Sequence, residues 1–284
     1  MGIPLRVGII GVGNISTQYL THIPTLPSLK LIALADLDVA RAAEVAATAG
    51  IESRSVDELF ASKDIDVILN LTTPGAHAII AMKALTAGKH VFGEKPLALT
   101  VEEAKPMMEL AKSSGLRIGS APDTVLGTGI QTSRDLLDSG KTGKPLAAGA
   151  FWSAPGHELW HPAPQFYYLP GAGPLFDMGP YYLTALVTLL GPVVSVIGNS
   201  TRSDRKRSVA TGELAGTEIR VEVETHISAL LEHASGVTST IMVSFEAWGS
   251  RLPKIEVYGT HGTLSVPAVS YTHLRAHETG RNLV

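Results

Sequence analysis

An apolar run followed by a glycine-containing turn constrains the fold more than any other feature of the chain. Residues 5–10 have the pattern of a buried strand, Gly11 and Gly13 follow, and Ser16 stands where a third glycine is usual. A helix that begins after such a turn directs backbone N–H groups and its positive end at an anion, which glycine allows to come close. The pattern predicts a dinucleotide-binding unit, and a tight turn without a ligand is the alternative. The predicted backbone contacts to the cofactor are Gly11, Gly13, Asn14 and Ile15.

An acidic residue follows the second apolar run, residues 29–35. Asp36 lies at about the distance where an acid binds the adenosine ribose of a dinucleotide. We predict that Asp36 binds the ribose hydroxyls of NAD and repels the additional phosphate of NADP. Leu37 occupies the next position, where NADP enzymes often carry a basic residue. Arg41 lies one helical turn later, and its charge keeps NADP as the alternative cofactor. The sequence therefore predicts NAD as the cofactor, with NADP possible.

Strands alternate with helices over residues 1–122. The predicted strands are 5–10, 30–35, 67–71, 90–92 and 117–120, and the predicted helices are 38–49, 76–87 and 100–114. Pro106 is expected to kink the last of these helices or to delay its start. The alternation predicts an α/β fold, a doubly wound parallel sheet of the Rossmann type.

Residues 123–268 have a different pattern, which predicts an α+β domain with a mainly antiparallel open sheet. A linking helix is predicted at 124–138, a strand at 146–153, a long loop at 154–174 and an apolar helix at 179–190. Residues 218–227 alternate between polar and apolar, which predicts one further strand, and hairpin turns are predicted at 234–236 and 259–262. The basic run 202–207 is interpreted as a solvated loop.

Composition excludes several classes of protein. The chain has 284 residues, 45% of them hydrophobic, which is typical of a globular protein rather than a disordered one. A net charge of −3 gives no basis for binding nucleic acid, and the lack of cysteine excludes disulfides and thiolate metal sites. The sequence contains no apolar stretch of membrane-spanning length and no signal-peptide pattern. We therefore expect a cytoplasmic protein without a membrane partner.

Residues 269–284 show neither helical nor strand periodicity, and 269–279 resemble the translation of a common transposase-type sequencing adapter. We expect a non-native tail and a coding sequence cut near Ala268, so that the α+β domain is incomplete. A genuine disordered tail is the alternative, and the nucleotide sequence would decide between the two. For this reason His273 and His277 are not interpreted as metal ligands.

Two motifs carry a resemblance to a known family. Gly93-Glu94-Lys95-Pro96 ends the fifth predicted strand, and residues 171–181 read Gly-Ala-Gly-Pro-Leu-Phe-Asp-Met-Gly-Pro-Tyr. Together with the glycine turn and the antiparallel second domain, these motifs resemble the Gfo/Idh/MocA family of NAD(P)-dependent oxidoreductases, which act mostly on sugars and cyclitols. The resemblance covers the chain up to Ala268. It implies a sugar or cyclitol substrate and a homo-oligomer when the protein is full length.

The resemblance also implies roles for individual residues. Lys95 corresponds to the catalytic lysine of the family, and Glu94 is expected to hold the loop or the cofactor ribose. Many members carry a histidine four residues after the aspartate that matches Asp177, but Tyr181 occupies that position here. Since a free tyrosine titrates near pH 10, it is a poor base at neutrality. We therefore predict that Lys95 transfers the proton, Asp177 orients the substrate or Lys95, and Tyr181 bonds the sugar or is a core aromatic.

Two loops supply further candidates. The loop after the fourth strand is expected to pass the nicotinamide, with candidate contacts at Thr72, Thr73, Pro74 and His77, although a helix cap is the preferred interpretation of His77. The long loop predicted at 154–174 is expected to contact the sugar through His157, Trp160 and His161, with His161 as a backup proton carrier. No metal is predicted, because that loop contains prolines and offers no third ligand.

The leading hypothesis is an oxidoreductase that transfers a hydride between NAD(P) and a secondary alcohol or ketone of a sugar or cyclitol. An NAD-dependent glycoside hydrolase of the same fold and a non-catalytic NAD(P)-binding regulatory protein are the alternatives. The presence of both Lys95 and Asp177 speaks against the regulatory alternative. The sequence does not identify the substrate.

Overall fold

The computed structural model describes residues 3–267, which form two compact units that divide between Ala121 and Pro122. The proposed non-native tail, with His273 and His277, lies outside the described residues.

The first unit contains a six-stranded parallel sheet with the strand order β3-β2-β1-β4-β5-β6. The strands are β1 (Leu5–Ile10), β2 (Leu29–Ala35), β3 (Glu52–Ser53), β4 (Val67–Asn70), β5 (His90–Gly93) and β6 (Ile118–Ser120). The helices are α1 (Ser16–His22), α2 (Val39–Ala49), α3 (Val56–Ala61), α4 (His77–Thr86) and α5 (Val101–Ser113). Two separate clusters of buried apolar side chains pack around the central strands. The predicted doubly wound sheet is confirmed.

Local signals explain where α2, α3 and α5 begin and where α2 ends. The Asp38 carboxylate accepts a hydrogen bond from the Arg41 N–H at the start of α2, and Gly50, with φ of 67°, ends that helix. Ser55 and Glu58 form a capping box at the start of α3. The sequence prediction missed β3 and α3, although the capping box is a signal that was available. A late start of α5 at Pro106 is wrong, because the Thr100 hydroxyl caps a helix that already begins at Val101.

The second unit contains a six-stranded mixed sheet with the order β14-β13-β7-β12-β11-β8. Its strands are β7 (Pro145–Ser153), β8 (Val193–Thr201), β11 (His226–His233), β12 (Thr238–Ser244), β13 (Ile255–Gly259) and β14 (Thr263–Val266), and β9 (Arg207–Ser208) pairs separately with β10 (Glu218–Ile219). Only the β7–β12 pair is parallel in this sheet. The helices are α6 (Thr128–Asp138), α7 (Gly173–Asp177) and α8 (Gly179–Leu190). The α+β prediction and both hairpins are confirmed.

The apolar helix α8 forms the centre of the second core. Tyr182, Leu186 and Leu189 are buried there with side chains from α6 and from strands β7, β11, β12, β13 and β14. Pro180 lies in the first turn of α8, where its missing N–H would have no helical partner. The predicted bounds of this helix are confirmed.

The single strand predicted over 218–227 is wrong. The structure forms only the two-residue β10 at its start, and β11 begins at His226. Between them, the Glu222 N–H donates to the Tyr168 carbonyl at 2.8 Å and the Thr225 N–H donates to the Thr201 carbonyl at 3.0 Å. The backbone thus leaves one pairing partner for another within a few residues, which alternating side chains do not reveal.

No helix in residues 3–267 combines the length and the apolar character that crossing a lipid bilayer requires.

A bidentate ion pair in the first unit makes a testable contribution to acid stability. Arg6 donates to Asp66 through Nε at 2.9 Å and Nη2 at 2.6 Å, and its backbone N–H donates as well. These bonds lower the pKa of Asp66 from 3.8 to about 2. The stability that Asp66 contributes is therefore present above about pH 4 and is lost as the pH falls toward 2.

We expect Asp66→Asn to lower the free energy of unfolding at pH 7 by about 1 kcal/mol. The Asp66 and Arg6 side chains remain 30% and 38% exposed, so solvent screening limits the effect. Urea unfolding at pH 7, 4 and 3 measures it, and the variant should lose less stability than the wild type between pH 4 and 3. Asp135→Asn, at an exposed position of α6, is the control. Equal acid losses in wild type and Asp66→Asn would contradict the assignment.

Candidate functional site

The glycine turn follows β1, and the backbone just after β4 leaves no room for a side chain at its first glycine. Gly11 has φ of 101°, and a Cβ atom there would come within 2.6 Å of the Leu71 carbonyl. A Cβ atom at Gly13 would have no neighbour within 4 Å. Ser16, at the position of the usual third glycine, donates from Oγ to the Gly13 carbonyl at 2.7 Å. The serine thus closes the turn with a hydrogen bond.

The turn fits the pyrophosphate of a dinucleotide. Gly13, Asn14 and Ile15 are exposed, and the Asn14 and Ile15 N–H groups donate no hydrogen bond within the described chain. Two exposed backbone donors beside an open glycine are what an approaching anion requires.

The carboxylate of Asp36 supports the same turn. Its Oδ2 accepts from the Val12 N–H at 2.7 Å, and its Oδ1 accepts from the Asp38 N–H at 3.0 Å. Each oxygen has a further lone pair, so the predicted ribose contact stays compatible with both bonds. Arg41 donates from Nε to the Val12 carbonyl at 3.1 Å, which places its guanidinium beside the turn. Leu37 is 95% exposed.

Asn70 and His77 fix the loop that follows β4. The buried Asn70 amide donates to the His77 carbonyl at 3.0 Å, and its Oδ1 accepts from the Thr72 hydroxyl at 2.7 Å. The His77 ring contacts the Thr72 carbonyl with Nε2 and the Pro96 carbonyl with Nδ1. The expectation that His77 caps α4 is wrong, because its ring joins two loops and α4 has no side-chain cap. Thr73 is exposed.

Glu94 connects α1, the helix after the glycine turn, to the loop after β5 that carries Lys95 (the lysine loop). Its Oε1 accepts from the Tyr19 hydroxyl of α1 at 2.8 Å, and its Oε2 accepts from the Lys95 N–H at 3.1 Å. The Glu94 N–H in turn donates to the Asn70 carbonyl at 2.9 Å. Lys95 is half-buried and follows β5 at the carboxyl edge of the parallel sheet, the edge at which open α/β sheets bind ligands.

In the second unit, Asp177 has a histidine partner that the sequence reasoning missed. His157 Nε2 lies 2.7 Å from Asp177 Oδ2, and the two side chains are only 8% and 12% exposed. Trp160 donates from Nε1 to His157 Nδ1 at 3.1 Å. Since Nδ1 accepts, the ring proton of neutral His157 is on Nε2 and is donated to Asp177.

The pairing changes one expectation. Asp177 and Tyr181 lie on different helices, since α7 ends at Asp177 and α8 begins at Gly179. His157 was expected to contact the sugar directly, but it is buried, with one ring nitrogen on Asp177 and the other on Trp160. His157 precedes Asp177 by twenty residues, and the path of the intervening loop brings the two side chains together. The sequence therefore gives no local signal of this contact.

Aromatic rings surround the pair. The His157 ring centroid lies 4.3 Å from that of Tyr167 and 4.7 Å from that of Phe245. Burial, and secondarily the charge of Asp177, raises the pKa of the Tyr167 hydroxyl. Burial, followed by the neighbouring His157, lowers the pKa of His161, whose Nδ1 accepts from the Ala163 N–H at 3.0 Å. Trp160 remains 57% exposed, so one large aromatic face stays available to a ligand.

A buried ionic network lies behind the same loop. Arg207 is 2% exposed and donates from Nη1 to Glu158 Oε1 at 2.6 Å and from Nη2 to Glu246 Oε1 at 2.7 Å. Tyr168 donates its hydroxyl proton to Glu158 and accepts from the His157 N–H at 3.2 Å. The interpretation of 202–207 as a solvated loop is therefore wrong for Arg207, which anchors the backbone at His157.

Within residues 3–267, no cluster of three or more His, Asp or Glu side chains is arranged to hold a metal ion.

Comparison with known proteins identifies the family to which these units belong. Residues 5–121 match the Gfo/Idh/MocA model described as an oxidoreductase family with an NAD-binding Rossmann fold, and residues 130–265 match a C-terminal domain model of the same family. The chain belongs to the Gfo/Idh/MocA family. The first unit is thus its NAD-binding domain, as the glycine turn predicted.

Relatives within the Gfo/Idh/MocA family include enzymes of sugars and cyclitols. The chain is 31% identical over 213 residues to dTDP-3,4-didehydro-2,6-dideoxy-alpha-D-glucose 3-reductase of Streptomyces antibioticus, a match covering 72% of this chain and 62% of the relative. It is 30% identical over 152 residues to inositol 2-dehydrogenase of Salmonella typhimurium, covering 50% of this chain and 44% of the relative. The chain therefore spans about half the length of these curated relatives.

Among solved structures, an NAD binding oxidoreductase from Klebsiella pneumoniae superposes with a TM-score of 0.77 at 28% identity. The alignment covers 92% of this chain and 72% of that one.

Gly11 and Gly13 offer a contrast between folding and cofactor binding. We expect Gly11→Ala to lower the free energy of unfolding by about 1–3 kcal/mol, because its Cβ would overlap the Leu71 carbonyl at a positive φ. Gly13→Ala should leave stability unchanged and weaken NAD binding at least about tenfold, because the methyl group occupies the open approach to the turn.

Thermal unfolding and NAD titration by calorimetry would measure both effects. Unchanged NAD affinity in a folded Gly13→Ala variant would contradict the placement of the cofactor.

Proposed function

We propose that the chain is an NAD-dependent oxidoreductase of a secondary alcohol or ketone on a sugar or cyclitol. The observation that carries the proposal is the chain of hydrogen bonds from Tyr19 through Glu94 to the Lys95 N–H. It fixes the lysine loop to the helix that follows the cofactor turn. The activities of the sugar-nucleotide reductase and the inositol dehydrogenase support the substrate class.

The proposed chemistry gives a role to each candidate residue. Bound NAD would supply the hydride acceptor for alcohol oxidation. In the oxidation, the Lys95 amine takes the hydroxyl proton, and the resulting ammonium hydrogen-bonds the new carbonyl oxygen. In the reduction, the same ammonium returns that proton. Asp177 accepts a hydrogen bond from a substrate hydroxyl and so orients the ring, and Tyr181 bonds a further hydroxyl.

The geometry of the first unit supports the proposed cofactor contacts. The backbone at Gly13, Asn14 and Ile15 holds the pyrophosphate, and Asp36 holds the ribose with the oxygen lone pairs that Val12 and Asp38 leave unused. The carboxylate disfavours the additional phosphate of NADP, so NAD is the proposed cofactor. Arg41 beside the turn keeps NADP as the second candidate.

A substrate screen tests the proposal. Purified protein is incubated with a panel of sugars and inositols and with NAD or NADP, and the absorbance of the reduced nicotinamide is followed. We expect turnover with at least one polyol and a higher kcat/KM with NAD. Cleavage of a glycoside without net NADH formation would favour the hydrolase alternative, and NAD binding without turnover across the panel would favour the regulatory alternative.

We also propose that the second sheet forms a homo-oligomer interface and that the enzyme works in the cytoplasm. The edge strand β8 is exposed over almost its entire length, and Val194, Val196 and Ile197 are 63%, 61% and 72% exposed. An uncovered apolar edge strand is a template for pairing with another chain. Light scattering after gel filtration should show an oligomer that Ile197→Asp dissociates, and a monomeric wild type would contradict the interface.

A further inference from the structure

We infer that His157 is a positioning residue that holds the Asp177 carboxylate in one orientation through a Trp160–His157–Asp177 hydrogen-bond chain. The inference rests on the proposed function, because it concerns the group proposed to orient the substrate. His157 precedes Asp177 by twenty residues in the sequence, and its ring is 2.7 Å from the Asp177 carboxylate.

The first step is the proton arrangement on His157. A neutral imidazole has one N–H and one lone pair. Trp160 can only donate from Nε1, and it lies 3.1 Å from His157 Nδ1, so the lone pair is on Nδ1. The N–H is then on Nε2 and is donated to Asp177 at 2.7 Å. The indole thus selects the tautomer that bonds the carboxylate.

The second step is rigidity. The His157 N–H donates to the Tyr168 hydroxyl at 3.2 Å, and Tyr168 donates to the buried Glu158, which Arg207 neutralises. The ring itself packs against both Tyr167 and Phe245. Both the backbone and the ring of His157 are therefore fixed, as is typical of a residue that orients another group.

The third step is the surroundings of Asp177. It is the last residue of the five-residue α7, and Met178 separates it from the start of α8. Two titratable neighbours of the pair are Tyr167, whose pKa is raised by burial and then by Asp177, and His161, whose pKa burial lowers. Burial therefore favours the uncharged form of both neighbours, and His157 donates directly to the Asp177 carboxyl group.

The first experiment needs no enzymatic activity. Nitrogen-15 NMR of histidine side chains in the full chain reports which ring nitrogen carries the proton, and loss of one signal in His157→Gln assigns it. We expect the Nε2–H tautomer with a strongly shifted N–H proton, unlike the exposed His261. Trp160→Phe should release the tautomer preference, and Asp177→Asn should remove the N–H proton shift. A His157 signal that neither substitution changes would overturn the inference.

The second experiment measures kinetics on a substrate found in the screen. His157→Phe removes the donor and should lower kcat by about 10- to 100-fold with NAD affinity unchanged. His157→Gln can still donate to Asp177 and should recover most of that loss. The acid limb of the kcat profile should move to higher pH in His157→Phe, because Asp177 loses a hydrogen bond to its charged form.

His261→Gln is the control for the histidine substitutions, since His261 is exposed in the turn between β13 and β14. Equal losses in His157→Phe and His157→Gln with an unmoved pH profile would mean a merely structural role and would overturn the inference. If no substrate turns over while the NMR signals behave as expected, the hydrogen-bond chain stands and the proposed function fails. Trp160→Phe serves as the second variant where His157→Phe does not fold.

Discussion

Lys95→Met is expected to lower kcat by about 10²–10⁴-fold, the range typical of losing a general acid–base group. Methionine has a similar length but can neither accept the hydroxyl proton nor stabilise the reacting oxygen. The Glu94 carboxylate is bound by the backbone N–H of residue 95, which the substitution keeps, so the loop and the cofactor turn should remain in place. NAD affinity measured by calorimetry should therefore change little while steady-state turnover is lost.

Lys105→Met is the matched control, because Lys105 is exposed on α5. It should have wild-type kcat and wild-type NAD affinity. Activity within a few-fold of wild type in Lys95→Met would remove the central group from the mechanism. A loss of NAD affinity equal to the loss of kcat would show instead that Lys95 serves cofactor binding.

Arg207→Met is expected to have the largest effect on stability, a loss of about 3–5 kcal/mol in the free energy of unfolding. Arg207 and Glu158 have side chains only 1% and 2% exposed, and their ion pair is 2.6 Å long. Removing the guanidinium leaves a buried carboxylate without its main countercharge. Urea unfolding followed by circular dichroism measures the loss, and Tm should fall in parallel.

Two further variants separate charge from packing. Arg205→Met should cost less than about 1 kcal/mol, because Arg205 is 25% exposed and lies farther from Glu158, at 3.3 Å. Adding Glu158→Gln to Arg207→Met should recover part of the loss by removing the unpaired charge. A double variant no more stable than Arg207→Met would show that packing around Arg207, and not its charge, stabilises the loop.

The stability prediction bears on function because the network supports His157. Tyr168 links Glu158 to the His157 backbone, so a disturbed network should also disturb the bond to Asp177. Weakened tautomer selection at His157 in a folded Arg207→Met variant is the expected NMR result.

Features specified within a few residues could be predicted from the sequence. Strand β1 and Gly11 were predictable because an apolar run and a turn that excludes side chains are written locally. The two hairpins and α8 carry equally local signals. Lys95 was found through its motif at the end of β5, since the carboxyl edge of a parallel sheet collects ligand-binding groups.

Only the tertiary structure decided which side chains meet. The separations of 20 positions between His157 and Asp177 and of 49 positions between Glu158 and Arg207 have no periodicity that predicts contact. A basic run in a polar segment is usually solvated, yet Arg207 is buried because two carboxylates and a tyrosine ring surround it. The sequence by itself determined the glycine turn and the position of Lys95 at the end of β5, because local backbone patterns specify both. The tertiary structure decided the partner of Asp177, because the path of the loop sets that contact.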